Sequence, residues 1–331
     1  LRRQRQMCIR DRIKDDEVLV QVKAALTCGT DLKTYRRGHP TIITSVPSTF
    51  GHEFSGVVVE AGKDVTKFKV GDRIVGANTA PCFECEHCKN KRYSLCENLQ
   101  YLNGAYSEYV AVPAHILKYN FYRVPDHLPF EQAALLEPLA CAVHGSDRIP
   151  AKVGDTVAVI GAGPIGLMFM KLLSLKGCRV IAVDLSDYRL EQSEKFGVWK
   201  TVNASGEEHI NQVRDLCGGK GADVVVEATG FPEVWENAVN MVRPGGTVLA
   251  FGGTKAGTSI TLDCQKFHYE EITLKAVYHH TPYHVQLALK LLSNGQIDGS
   301  LFITGHYPLE KAIDALESIG RQEGIKYAII P

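Results

Sequence analysis

The chain reads as an α/β protein of two domains: a compact, mainly β part, then a doubly wound parallel sheet with helices on both faces. Three observations predict this. Short valine-rich segments separated by tight turns run up to Gln132. Strand and helix alternate from Thr156 onward. A glycine-rich turn, Gly161-Ala162-Gly163-Pro164-Ile165-Gly166, sits at the first strand–helix junction of that alternation. The 331 residues suffice for two separate cores.

In the first part, Val18–Ala25 alternates apolar and polar residues and predicts a strand. Phe54–Ala61 predicts a second, bounded by Gly51 and Gly62. Gly71-Asp72 turns into a third at Arg73–Gly76, and Ala105–Pro113 and Arg123–Pro125 continue the short-strand style. Gln132–Ser146 has helical character. The second part then predicts strands at Thr156–Ile160, Arg179–Val183, Ala222–Glu227, Thr247–Phe251 and Ile272–Val277. Its helices are expected at Pro164–Lys176, Arg189–Phe196, Pro232–Val242 and His284–Ser293, with a last one near Leu309–Ile319. Val70-Gly71-Asp72 and Val153-Gly154-Asp155 look alike, but Gly-Asp before a strand is ordinary turn chemistry and their flanks share nothing, so no duplication is read.

Composition narrows the function. Hydrophobic residues make up 45% and charged residues 22%, and the formal net charge is zero. Nothing global draws such a chain to nucleic acid or to an anionic membrane. Glycines and a proline break the longest apolar run, which is too short to span a bilayer. Of ten cysteines, four crowd into Cys82–Cys96, and no secretory signal precedes them. That usage predicts metal ligands rather than disulfides, and a cytoplasmic protein. Leu1–Arg12, LRRQRQMCIRDR, reads as a non-native or disordered arm and is given no function.

The glycine turn matches G-x-G-x-x-G, a weak pattern alone. Here it follows a strongly apolar strand and opens a helix, the context that gives it meaning. Gly161 permits the tight turn, Gly163 lets a pyrophosphate approach the backbone, and Gly166 lets helix and strand pack closely. Pro164 and Ile165 open the helix, whose free N–H groups suit phosphate. The next strand ends at Asp184, placed to accept hydrogen bonds from ribose hydroxyls and to repel a 2′-phosphate. No cation follows it directly, although Arg189 lies nearby, so NAD is expected over NADP. The alternative is a structural turn with a solvated aspartate.

Cys82-x2-Cys85-x2-Cys88-x7-Cys96 supplies four thiolates, a closed tetrahedral set suited to structural zinc. Cys8, Cys141, Cys178, Cys217 and Cys264 have no such company and are expected to be small core residues. A second set is dispersed: Cys28 in Cys28-Gly29-Thr30-Asp31, His52 and Glu53 after Gly51, and Glu137 before Pro138. One thiolate, one imidazole and carboxylates suit a zinc ion with an open position, but the spacing alone is weak evidence.

Gly51-His52-Glu53-x2-Gly56-x5-Gly62-x2-Val65 resembles the signature of zinc-containing medium-chain alcohol dehydrogenases. Cys28-Gly29-Thr30-Asp31, the four-cysteine lobe and Gly161–Gly166 with Asp184 occur in that family's order, from about Glu17 onward. The resemblance implies a GroES-like catalytic domain over residues 13–138, a Rossmann NAD-binding domain over 139–295, and a return to the catalytic domain over 296–331. It implies an active site in the cleft between them.

Carried over by position, Cys28 and His52 bind a catalytic zinc, and Glu53 and Glu137 complete the site, one of them directly. Asp31 accepts the second ring N–H of His52. Cys82, Cys85, Cys88 and Cys96 match the structural zinc.

Glu137 stands where ethanol-type members carry cysteine, which resembles the sorbitol and threonine dehydrogenase branch. No insertion follows Tyr35 as in threonine dehydrogenases, which favours polyols. Arg36, Arg37 and His39 either favour a polar or anionic substrate or are solvated loop residues. Relatives place a histidine where this chain has Lys33, so the proton relay past Thr30 is not carried over. The resemblance thus implies a zinc-dependent oxidoreductase moving hydride from a polyol or other secondary alcohol to NAD⁺, in a homodimer or homotetramer. The rivals are an L-threonine 3-dehydrogenase and a non-catalytic nucleotide-binding protein on the same fold.

Overall fold

A computed structural model describes residues 13–38 and 48–331. Leu1–Arg12 and His39 lie outside the described residues. The chain divides into two compact units. Described residues up to Ala140 join His280–Pro331 in the first, and Cys141–His279 form the second. The return to the first unit thus comes at His280, not at residue 296. The helix Pro282–Ser293, assigned above to the parallel domain, belongs with the β unit. Buried Val285, Ala288 and Leu292 give it an apolar stripe to pack there.

The first unit is built on a seven-stranded sheet. Its strands are β1 (Val18–Leu26), β2 (Phe54–Ala61), β3 (Arg73–Gly76), β6 (Tyr109–Val112), β7 (Phe121–Arg123), β14 (Ile303–Pro308) and β15 (Lys326–Ile330). Between β3 and β6, β4 (Thr79–Ala80) and β5 (Gln100–Tyr101) pair separately. The main order is β14-β15-β1-β2-β3-β7, with β6 also on β1. β1 buries alternate residues Val18, Val20 and Val22, as its period-2 pattern predicts, against Phe54, Val58, Ile74 and Phe121.

The second unit carries six parallel strands: β8 (Thr156–Ile160), β9 (Arg179–Asp184), β10 (Lys200–Asn203), β11 (Ala222–Glu227), β12 (Val242–Ala250) and β13 (Thr273–Ala276). Their order is β10-β9-β8-β11-β12-β13. The chain runs outward from β8 through β9 and then reverses to β11, so the switch point lies between β8 and β11. Ligands of such sheets bind outside the carboxyl ends of the strands there. β8 is buried along its whole length, which is why its sequence is continuously apolar rather than alternating.

Several boundaries differ from the sequence reading. The stretch Gln132–Ser146 forms two helices, Phe130–Ala133 and Leu136–Asp147. The helix expected at Arg189 begins at Asp187, because the Ser186 hydroxyl caps the Arg189 N–H. The strand expected at Arg123–Pro125 is Phe121–Arg123, ending before the proline that cannot donate to a ladder. The helix Gly29–Arg37 was not foreseen, since its short polar sequence carries little periodicity. Cys178 is buried, but Cys264 is exposed at the first turn of the helix Cys264–Tyr269, so it is not a core residue. Among the described residues no helix is long and apolar enough to cross a membrane.

Candidate functional site

Strand register assembles the dispersed donors. β1 pairs antiparallel with β2 so that Ala25 faces Phe54. The residues just past the end of β1 therefore lie beside those just before β2. Cys28 takes an extended conformation and caps the helix Gly29–Arg37. Glu53 is tied back by its carbonyl, which accepts the Leu26 N–H at 3.0 Å. As a result, Cys28 Sγ, a His52 ring nitrogen and a Glu53 oxygen lie within 4.8 Å of one another. Ligands on a tetrahedral zinc with bonds of 2.0–2.3 Å stand roughly 3.3–3.8 Å apart, so the donor set fits such an ion with modest contraction.

Supporting groups fix each donor. His52 Nδ1 lies 2.9 Å from Asp31 Oδ1, which leaves Nε2 for the metal. Burial works against protonating His52, but Asp31 and Cys28 outweigh it and raise its pKa well above the ordinary value. The Tyr106 hydroxyl reaches the other Asp31 oxygen at 2.8 Å. Glu53 is fully buried. Its Oε2 accepts from Lys326 Nζ at 2.5 Å, whereas Oε1 is buried with no hydrogen-bond partner. Burial raises Glu53 to about 7, with Lys326 pulling the other way. Lys326 also donates to the Thr27 carbonyl at 2.7 Å, and the carboxylate holds its pKa above the ordinary value against the effect of burial.

Glu137, in the first turn of Leu136–Asp147, is buried but stands outside the Cys28–His52–Glu53 group. Its Oε1 lies 3.8 Å from Nε2 of buried His280, which in turn is 3.5 Å from Thr79 Oγ1. Thr30 is exposed in the first turn of its helix, and Lys33 is exposed as well. Arg36 is exposed and paired with Glu317, and Arg37 is exposed as well.

The four clustered cysteines also converge. Cys82 follows β4, Cys85 caps the short helix Glu86–Lys89 that holds Cys88, and Cys96 follows the turn Tyr93–Leu95. Their sulfurs lie within 4.8 Å of one another, with Cys82–Cys88 at 3.9 Å and Cys85–Cys96 at 4.0 Å. Four thiolates on zinc at about 2.3 Å would be about 3.8 Å apart. Backbone N–H groups of Cys82 and Cys85 point at sulfurs at 3.2 and 3.3 Å. Such donors from Glu84 and Cys85 lower Cys82 to about 6, whereas burial pushes Cys88 up to about 12.

In the second unit, Gly161 turns at φ 99° directly after β8. A Cβ on Gly166 would lie 1.7 Å from the Gly161 carbonyl oxygen, so only glycine allows this helix–strand approach. Gly163 caps Pro164–Leu175, and a Cβ there would meet only Arg189 Nη1 at 3.8 Å. Pro164 and Ile165 are half-buried at the helix mouth. Asp184 ends β9. Its Oδ2 accepts from Ala162 N at 2.6 Å and its Oδ1 from Ser186 N at 2.9 Å, which ties it to the glycine turn. Across the switch point, buried Glu227 accepts from Thr229 N and Gly230 N at 2.6 and 2.8 Å and holds the turn after β11.

Sequence reasoning missed Lys326, Tyr106, His280 and Glu227. Lys326 had a signal: one lysine opens an otherwise apolar strand, Lys326–Ile330, where a charge must be paired if buried. The others had none.

Family models match two segments: "Alcohol dehydrogenase GroES-like domain" over residues 14–125, and "Zinc-binding dehydrogenase" over 164–294. Sorbitol dehydrogenase of Bacillus subtilis (strain 168) is 31% identical over 312 residues, covering 92% of this chain and 87% of that protein. L-threonine 3-dehydrogenase of Shewanella putrefaciens is 30% identical over 312 residues, covering 92% and 89%. The solved structure of alcohol dehydrogenase TADH from Thermus sp. ATN1 superposes with a TM-score of 0.87 at 29% identity, covering 96% of this chain and 94% of that one. Identity of this level over nearly the whole chain joins the donor sets and the glycine turn, and the chain belongs to the zinc-containing medium-chain alcohol dehydrogenase family.

Proposed function

We propose that this chain is a zinc-dependent dehydrogenase that moves hydride from a polyol or other secondary alcohol to NAD⁺. The carrying observation is the mixed donor set: a thiol, an imidazole and a carboxyl group from Cys28, His52 and Glu53 within 4.8 Å, three donors for an ion whose tetrahedron takes a fourth. Zinc held there would supply Lewis acidity that lowers the pKa of an alcohol hydroxyl, and NAD⁺ would accept the hydride.

The chain's own residues do the rest. Cys28, His52 and Glu53 hold the metal, and Glu137 stands outside that set within reach of His280. Asp31 keeps His52 Nδ1 protonated so that Nε2 binds. Exposed Thr30, two residues after Cys28, would take the alcohol proton on its hydroxyl oxygen while its own proton leaves toward solvent. Gly161, Gly163, Pro164, Ile165 and Gly166 seat the pyrophosphate with Arg189 alongside, and Asp184 takes the ribose hydroxyls, which favours NAD over NADP. Cys82, Cys85, Cys88 and Cys96 hold a structural zinc.

Four clustered thiols fit a reducing, cytoplasmic setting. β13 ends its sheet, an edge suited to a homodimer or homotetramer.

A panel of polyols, secondary alcohols and threonine with NAD⁺ and NADP⁺, beside a metal assay, tests the reading. Two zincs per chain and NAD⁺-linked turnover of a polyol are expected. Turnover of threonine alone would overturn the substrate class. One zinc without turnover would overturn the function.

A further inference from the structure

The two segments that carry Cys28 and His52 are joined by a third, Gly104–Tyr106. The Gly51 carbonyl accepts from Gly104 N and Ala105 N at 2.8 and 3.1 Å, and Tyr106 N donates to the Phe50 carbonyl at 3.0 Å. The Tyr106 ring lies on Gly51, directly before His52. A Cβ at Gly51, whose φ is 83°, would come within 2.8–2.9 Å of that ring. The ring therefore occupies space that only glycine leaves open. The hydroxyl then crosses to the other segment. It stands 2.8 Å from Asp31 Oδ2 on the helix that Cys28 caps, and 3.0 Å from the Leu26 carbonyl at the end of β1. One hydroxyl proton faces two acceptors, and the carboxylate, closer and charged, is the stronger. Asp31 Oδ1 is engaged by His52, so each oxygen of this buried carboxylate meets one donor.

We infer that Tyr106 is a positioning residue of the catalytic zinc site. It orients Asp31, and through it the His52 ring, while its backbone and ring fix the loop that presents His52. This rests on the reading of Cys28 and His52 as zinc ligands. Without the hydroxyl, Asp31 Oδ2 is buried without its donor and the carboxylate can rotate, so the His52 ring loses its set orientation. Partners of metal-bound histidines typically change metal affinity about 10–100-fold when removed.

The test uses the full chain as wild type, Tyr106→Phe, Asp31→Asn and the double variant. Zinc affinity is measured by chelator competition, and the cleft zinc is replaced by cobalt(II) for its visible spectrum. Tyr106→Phe keeps the ring on Gly51. It is expected to weaken the cleft zinc about tenfold, to alter the cobalt spectrum, and to leave the four-cysteine zinc in place. In the Asp31→Asn background the same change is expected to add nothing, because the effect runs through that carboxylate. Wild-type affinity and spectrum in Tyr106→Phe would overturn the inference while leaving the zinc reading intact. An equal further loss in the Asp31→Asn background would overturn it as well. A wild-type chain holding only the four-cysteine ion would overturn both.

Discussion

Replacing Lys326 by methionine removes the only donor to Glu53 Oε2 among the described residues and keeps most of the aliphatic stem. Both partners are buried, with side-chain exposures of 3% and 0%. Removing one member of such a pair leaves a desolvated charge, which costs about 3–5 kcal/mol. The Thr27 carbonyl loses a donor too, a further cost of about 1 kcal/mol, while the methionine methyl regains some apolar burial. The expected net loss is about 4 kcal/mol in zinc-stripped protein, and less when zinc stands near the same carboxylate. Adding Glu53→Gln should restore much of it, since the uncompensated charge is then gone.

Hydrogen exchange read by mass spectrometry over the ends of β1 and β15 measures the effect locally. Both tryptophans, Trp199 and Trp235, lie in the other unit, so their fluorescence during denaturation is an internal control. A Lys326→Met chain within about 1 kcal/mol of wild type, unimproved by Glu53→Gln, would refute the reasoning that these two buried groups stabilise each other.

Cys28→Ser should lose the zinc held with His52 and Glu53, and turnover with it, while the circular dichroism spectrum persists; a metal assay and a rate measurement check this. Cys85→Ser should instead release the other zinc and lower the melting temperature of the lobe-bearing unit. Asp184→Ser should raise the KM for NAD⁺ by about tenfold or more through loss of charged hydrogen bonds, and should narrow the preference over NADP⁺ in steady-state assays. His144 supplies the pH dependence. Burial depresses its pKa below the ordinary 6.5. The unfolded chain therefore takes up a proton first as pH falls through 6.5, and stability drops until the folded pKa is reached. Relative to wild type, His144→Gln should lose that downward slope in melting temperatures measured from pH 8 to 5.

What the sequence revealed and what it hid follow from the range of each interaction. The parallel sheet was legible because β8 and β11 are valine runs with turn residues at both ends. The four-cysteine lobe and the glycine turn were legible because their chemistry sits in adjacent residues. Cys28 and His52 were recognisable only through resemblance, since the register that brings them together belongs to β1 and β2. Lys326 and Glu53 are 273 residues apart, and no local pattern pairs them. The helix Pro282–Ser293 was assigned to the wrong unit because an amphipathic stripe says that a helix packs, not against which sheet. The partner of Arg36, Glu317, is likewise remote in sequence, so their pairing left no local trace.

The strand that carries Lys326 is made long after β1, yet the two are neighbours in one sheet. With the entire Cys141–His279 unit inserted between these two halves, a growing polypeptide waits on the order of ten seconds or more, at 5–20 residues per second, before the gap beside β1 can close. During that interval Ala25 and Leu26 at the end of β1 lack their β15 partners, and Glu53 lacks Lys326. Intermediates stalled before Ile325 should therefore leave the Glu53 carboxylate without its lysine, and should exchange amide hydrogens at the end of β1 faster than the finished chain.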